Sequence, residues 1–175
     1  MPISNNKLKL FLYRHTPIIL LFTSILNEID FNNLGLKYFS FNFAYILIFY
    51  YSVRRSDGMG YVSIFIAGLF NDVVAGIPMG ISSLSFLLLC AAGVYLRNIT
   101  LRPNIIKDWI FFLITVLVLN FITFTYLISF FSYEINYFDQ VINIIFTFLL
   151  YFVFSFLFKF YDNAILGRFN AKWKL

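Results

Sequence analysis

The sequence predicts an all-α integral membrane protein, a bundle of about six transmembrane helices with both ends on the cytoplasmic side. Three observations predict it. Hydrophobic residues make up 61% of the 175 residues and charged residues only 12%, whereas a soluble domain carries about 25% charged residues and needs them to coat its surface. The apolar residues gather into six continuous runs. The basic residues are dealt out between those runs rather than along one stripe, which is a pattern of membrane orientation. At this length the chain forms one domain, residues 1–175, with lipid as its solvent over much of its surface.

The first run, from about Phe11 to Ile29, follows Lys7 and Lys9. It resembles a signal peptide at its start, but Asn27-Glu28-Ile29-Asp30 follows it with no small-residue cleavage site, so an uncleaved helix is expected. Thr16 and Pro17 suit an N-cap and first helical residue. The second run, Phe39 to Val53, and the third, Tyr61 to Gly76, fall short of the ~20 residues of a full span. Partly re-entrant segments are an alternative for both. The fourth runs from Met79 to Leu96, the fifth from Trp109 to Phe131 and the sixth from Phe138 to Phe160. None alternates strictly, which argues against strands of a membrane barrel. Tyr38, Tyr61, Tyr95, Trp109, Tyr133 and Tyr137 lie near the run ends, where amphipathic rings favour the headgroup layer.

Charge sets the parity of crossings. With the N-terminus inside and six crossings, twelve cations (Lys7, Lys9, Arg14, Arg54, Arg55, Arg97, Arg102, Lys107, Lys159, Arg168, Lys172 and Lys174) fall on the cytoplasmic side. Lys37 alone falls outside, where Glu28, Asp30, Glu134 and Asp139 also lie. If the third run did not cross, Arg97, Arg102 and Lys107 would face outward, against the positive-inside rule. The net charge of +5 is therefore read as orientation in a membrane, and a nucleic-acid partner is not expected.

The most informative stretch is Gly68-Leu69-Phe70-Asn71-Asp72-Val73-Val74-Ala75-Gly76-Ile77-Pro78-Met79-Gly80. Gly68, Asp72 and Gly76 repeat every four residues and so share one helical face. Glycines at that spacing let another helix approach closely. Asp72 is an ionisable residue inside a membrane run, which is expensive and faces protein or water rather than lipid. Three readings stand open for it: a buried polar anchor, an interfacial cap, and a proton or ion relay. Pro78 between Gly76 and Gly80 reads as a tight turn. Asn120 lies mid-run and is expected to bond a neighbouring helix. Ser82, Ser83 and Ser85 are expected to bond local carbonyls. Arg54 and Arg55 read as a topology anchor, or as a contact for a cytoplasmic partner or anionic lipid.

Enzyme signatures are not evident. There is no Gly-x-Ser-x-Gly elbow, His-Glu-x-x-His or Walker loop in the sequence. His15 is the one histidine and Cys90 the one cysteine, too few for a metal site of the usual ligand count. Cys90 is read as a small buried apolar residue. No catalytic residue, metal or cofactor is expected.

The stretch from Phe41 to Leu89 resembles the rod shape-determining protein MreD family. The resemblance lies in a tyrosine-rich second helix ending in a basic pair (Tyr50, Tyr51, Arg54, Arg55), the Gly68-Leu69-x-x-Asp72 step, and the Gly76-x-Pro78-x-Gly80 turn. The family often has Arg-Pro after the second helix, whereas here Ser56 follows Arg55. The resemblance implies a non-enzymatic, multi-pass subunit of the bacterial inner membrane, part of the cell-elongation machinery. Implied partners are MreC, with MreB, RodA and its transpeptidase in the same complex, in addition to membrane lipid. It also implies a fold resembling the substrate-binding S-component of energy-coupling-factor vitamin transporters, and such a component is the alternative function. That alternative asks for polar and aromatic residues gathered into a pocket open to the outside.

Overall fold

The computed structural model describes residues 15–25, 41–55, 59–100, 104–131 and 137–172, with side chains of the last stretch described as far as 163. All regular structure in these residues is helical. The helices are α1 (His15–Ile25), α2 (Phe43–Arg54), α3 (Tyr61–Ala75), α4 (Ile81–Ile99), α5 (Ile105–Phe131) and α6 (Tyr137–Lys172). Three of them, α4, α5 and the Tyr137–Asn163 part of α6, are long and apolar enough to cross a membrane. The chain is thus a membrane protein by length and composition of its helices.

Their boundaries depart from the apolar runs in instructive ways. The α5 helix begins at Ile105, four residues before Trp109, because the Asn104 side chain accepts the Ile106 N–H at 3.0 Å and its carbonyl accepts the Asp108 N–H. That cap carries the helix through the charged pair Lys107-Asp108, which hydropathy alone assigns to a loop. The α4 helix begins at Ile81 rather than Met79, since Gly80 has φ +103 and cannot be an interior helical residue. The α6 helix continues past Phe160 through Asp162 to Lys172, because hydropathy marks contact with lipid rather than the end of hydrogen bonding. The described part of α1 starts at His15 and so already contains Thr16 and Pro17. The remainder of the first run, together with Glu28, Asp30, Lys37, Tyr38, Asp57, Arg102, Tyr133 and Glu134, lies outside the described residues.

The short α2 helix forms the centre of the bundle. Every residue from Ala44 to Val53 is buried, as expected for a helix that is apolar all round. Its twelve residues span roughly 18 Å at 1.5 Å per residue, well under the ~30 Å hydrocarbon core. Backbone that leaves a helix at membrane depth is tolerated where protein surrounds it. The neighbours of α2 are α4 on one side and α5 and α6 on the other. On the α4 side, a Cβ at Gly93 would lie 2.8 Å from Ser52 Cβ and 3.3 Å from the Phe49 carbonyl oxygen, so the absent side chain sets the distance between these helices. On the other side, aromatic rings do the packing. Phe49 meets Phe112 at 5.1 Å and Tyr151 at 5.8 Å between ring centres, and Phe112 stacks on Tyr151 at 4.4 Å. Trp109 stacks on Phe148 and donates its indole N–H to the Phe148 carbonyl at 2.8 Å. The ring expected at the headgroup layer thus joins α5 to α6. Tyr61, Tyr95 and Tyr137, by contrast, are exposed at the helix ends.

Large apolar side chains cover the outside. Val62, Phe65, Phe70 and Val73 on α3, Ile110, Ile114 and Phe121 on α5, and Phe152, Phe156 and Phe160 on α6 are all exposed. Such a surface suits lipid, not water.

Candidate functional site

The junction of α3 and α4 is built around Asp72, which has no exposed surface. Its two carboxylate oxygens accept from two backbone donors of the next helix. Oδ2 takes the Gly80 N–H at 2.6 Å and Oδ1 takes the Ser82 N–H at 2.8 Å. These donors sit at the N-cap and second position of α4, where a helix has N–H groups without internal partners and a positive dipole end. An Asp or Ser at the N-cap itself normally fills that need. Here the N-cap is Gly80, which has no side chain, and the preceding helix supplies the carboxylate.

The backbone of the same residue closes α3. The Asp72 carbonyl accepts the N–H of Gly76 and the N–H of Ile77, the latter at 3.1 Å. The six-residue closure is part of the Schellman pattern, and Gly76 adopts the left-handed conformation it requires, with φ +66. Pro78 then carries no N–H to leave unpaired, and Gly80 turns the chain into α4. One residue therefore ends one helix with its main chain and starts the next with its side chain.

Close packing makes that reach possible. A Cβ on Gly68 would fall 2.3 Å from Ser83 Cα and 2.6 Å from Ser83 N, so α3 and α4 touch backbone to backbone one turn below Asp72. Ser83 donates across this contact to the Phe65 carbonyl at 3.0 Å, and Asn71 donates to Ser82 Oγ at 2.9 Å. Ser85 pairs with Thr123 of α5 at 3.2 Å. The three serines thus bond neighbouring helices, not carbonyls of their own turn. In a membrane interior there is no water to compete for these groups.

Arg54 and Arg55 form a second polar cluster, at the far end of α2. Arg54 Nη2 lies 3.0 Å from Asp108 Oδ2 of α5, and Arg55 Nη1 lies 4.0 Å from Asp162 Oδ1 of α6. The Tyr50 hydroxyl donates to Asp162 Oδ2 at 3.5 Å. The basic pair is thereby held by two acids, Asp108 and Asp162, that sequence reasoning did not single out. A signal existed: both acids flank apolar runs on the side where Arg54 and Arg55 were placed. Asp108 Oδ1 is buried and has no hydrogen-bond partner among the described residues.

Asn120 does not join this network. Its Nδ2 donates to the Val116 carbonyl one turn back on its own helix, at 2.9 Å, where a bond to a neighbouring helix was expected. Short polar side chains inside helices commonly satisfy themselves in this way. Cys90 is buried and accepts from Ser52 Oγ at 3.2 Å. Among the described residues no group of three His, Cys, Asp or Glu side chains is placed to hold a metal ion. Chemically, the Asp72 joint can lock two helices. Both oxygens of its carboxylate are committed to backbone amides.

Compared with known proteins, the chain matches no family model, no curated sequence and no solved structure at a significant level.

Proposed function

We propose that this chain is a non-enzymatic, six-span subunit of the bacterial inner membrane that scaffolds the cell-elongation machinery, supporting peptidoglycan synthesis and rod shape. The observation that carries the reading is the Asp72 joint. Of the residues that resemble the MreD family, Gly68 lets α3 and α4 touch, Asp72 bonds the Gly80 and Ser82 amides, and Gly76 and Gly80 turn the chain between the two helices. Asp72, Asn71, Ser83 and Ser85 bond between helices, and large apolar side chains cover the lateral surface. That division suits a protein whose task is to present a rigid face to other membrane proteins. MreC is the proposed direct neighbour, with MreB, RodA and its transpeptidase in the same assembly.

The topology proposed for it has both ends inside, on the strength of the charge distribution. The alternative, a vitamin-binding transporter subunit, needs a pocket. Ligand pockets run from about 300 to 1,000 Å³ with a few placed polar groups. The cleft between α4 and α5, floored by Ser85 and Thr123, holds about 170 Å³, and the larger one between α5 and α6, about 500 Å³, is an open and almost wholly apolar groove, so neither gathers the polar groups that a vitamin site needs. The deciding experiment is affinity purification of the tagged, detergent-solubilised protein. Co-purification of MreC and RodA is expected. Recovery of a transporter's ATPase subunits in their place would overturn the proposal.

A further inference from the structure

The α3 helix packs against α4 and touches α1 where Phe22 meets Phe70, whereas α6 packs against α2 and α5. The two helices therefore border different parts of the surrounding membrane. The outward face of α3 carries Val62, Phe65, Ile66, Phe70, Val73 and Val74, all exposed. Its small residues, Ala67 and Gly68, are buried on the inward face. Helices that associate laterally in a membrane do so through small residues or polar groups at the contact. The outward face of α3 offers bulky apolar side chains in their place, which is a surface for lipid.

That face is short. Fifteen residues rise roughly 22 Å at 1.5 Å per residue, and any tilt lowers the figure. An ordinary hydrocarbon layer is ~30 Å thick. Both ends of α3 also demand polar surroundings. Gly60 provides no side-chain cap, so the leading amides of the helix, at the exposed Tyr61 and Val62, lack a partner within it. At the other end Val73, Val74 and Ala75 are exposed, and the closing carbonyls of a helix likewise have no internal donor. Backbone groups facing lipid do not stay unpaired in hydrocarbon. Water or headgroups must therefore reach both ends. Elsewhere the apolar belt is taller: α6 rises roughly 30 Å between the exposed Asp139 and Lys159.

We infer that the bundle thins the bilayer along α3, holding there a hydrocarbon layer of roughly 22 Å, while a layer of ordinary thickness meets α6. A span too short for its bilayer is accommodated by local thinning at modest cost per ångström. The partner of this face is thus a phospholipid surface, and the bundle shapes it unevenly. The inference rests on the six-span topology, in which α3 crosses, and deepens the scaffold reading: other membrane proteins with short spans meet less mismatch on the α3 side and gather there.

The test uses the full chain in phosphatidylcholine–phosphatidylglycerol vesicles, in a Cys90→Ser background, with one spin label at a time. The labelled variants are Val62→Cys and Val73→Cys on α3, and Val141→Cys and Phe156→Cys on α6. All four positions are exposed, so the fold is kept, which far-ultraviolet circular dichroism checks. Power saturation with oxygen and a water-soluble nickel complex reads the depth of each label below its nearer polar edge. The two depths on a helix, added to the rise between its labels, give the local thickness whatever the vertical placement of the bundle. The expected values are roughly 22 Å along α3 and 30 Å along α6. Equal thickness along both helices overturns the inference. Labels on α3 that are shielded from oxygen and nickel alike overturn it in favour of a protein covering that face. A reporter fusion after Arg102 separates the two failures: an outward signal removes the topology and the thinning together, whereas a cytoplasmic signal with equal thickness removes the thinning alone.

Discussion

Replacing Asp72 by leucine should loosen the α3–α4 joint by several kcal/mol, and the structure supplies the magnitude. The substitution removes two hydrogen bonds to a buried carboxylate, from Gly80 and Ser82. Each donor then stays buried without a partner at about 1–3 kcal/mol, giving a total of roughly 2–5 kcal/mol once partial relaxation is allowed. Asparagine should be intermediate. Its single carbonyl oxygen keeps one donor, while its NH₂ must face the other, so about one bond, or 1–3 kcal/mol, is lost. The assay is SDS-induced unfolding of the purified protein in mixed micelles, followed by circular dichroism. The expected order of stability is wild type, then Asp72→Asn, then Asp72→Leu. If the leucine variant unfolds within about 0.5 kcal/mol of wild type, the size of an ordinary surface substitution, then the carboxylate does not hold the joint. In cells, loss of rod shape in the leucine variant at normal membrane abundance would tie the joint to the proposed function.

Three further outcomes are expected. Gly68→Ala should cost about 1–3 kcal/mol of stability in the same titration, because its Cβ meets Ser83 backbone at 2.3 Å. Gly93→Ala, whose nearest obstacle is the Ser52 side chain at 2.8 Å, should cost less, and a reversed order would refute the close-contact reading. Arg54→Leu should destabilise by about 3–5 kcal/mol, since it strands the buried Asp108 carboxylate, and adding Asp108→Leu should recover most of that loss in a double-mutant cycle. No recovery would mean that the pair is not coupled. Reporter fusions after Arg55, Arg102 and Lys174 should register cytoplasm, and those near Asn33, Ile77 and Asn136 the opposite side. An outward signal at Arg102 would remove the six-span topology.

Gly76, expected on the face of Gly68 and Asp72, instead ends α3 in the left-handed conformation with open space where a Cβ would stand, but Gly68 and Asp72 share a face through their spacing alone, and Pro78 between two glycines marks a turn. These are local properties of helical geometry, and they were legible without coordinates. So were the long apolar runs of α5 and α6, because continuous hydrophobicity over more than 20 residues admits few structures other than a membrane helix. What apolarity does not encode is which side of a membrane helix meets protein and which meets lipid. The two environments are about equally apolar. Hence α2, the shortest of the runs by hydropathy, became the buried centre, while the equally apolar Val62, Phe65 and Val73 of α3 face outward. Polar groups behave likewise. The sequence says that Asp72 needs partners at membrane depth, because it is costly alone, and it sets Arg54 and Arg55 at a cytoplasmic turn. It does not name those partners, since a hydrogen bond depends on distances that packing sets. Tertiary structure assigned Asp72 to the Gly80 and Ser82 amides, Arg54 to Asp108 and Arg55 to Asp162. It also turned Asn120 back on its own helix, because a carbonyl one turn away lies within reach of a short amide wherever the neighbouring helices sit.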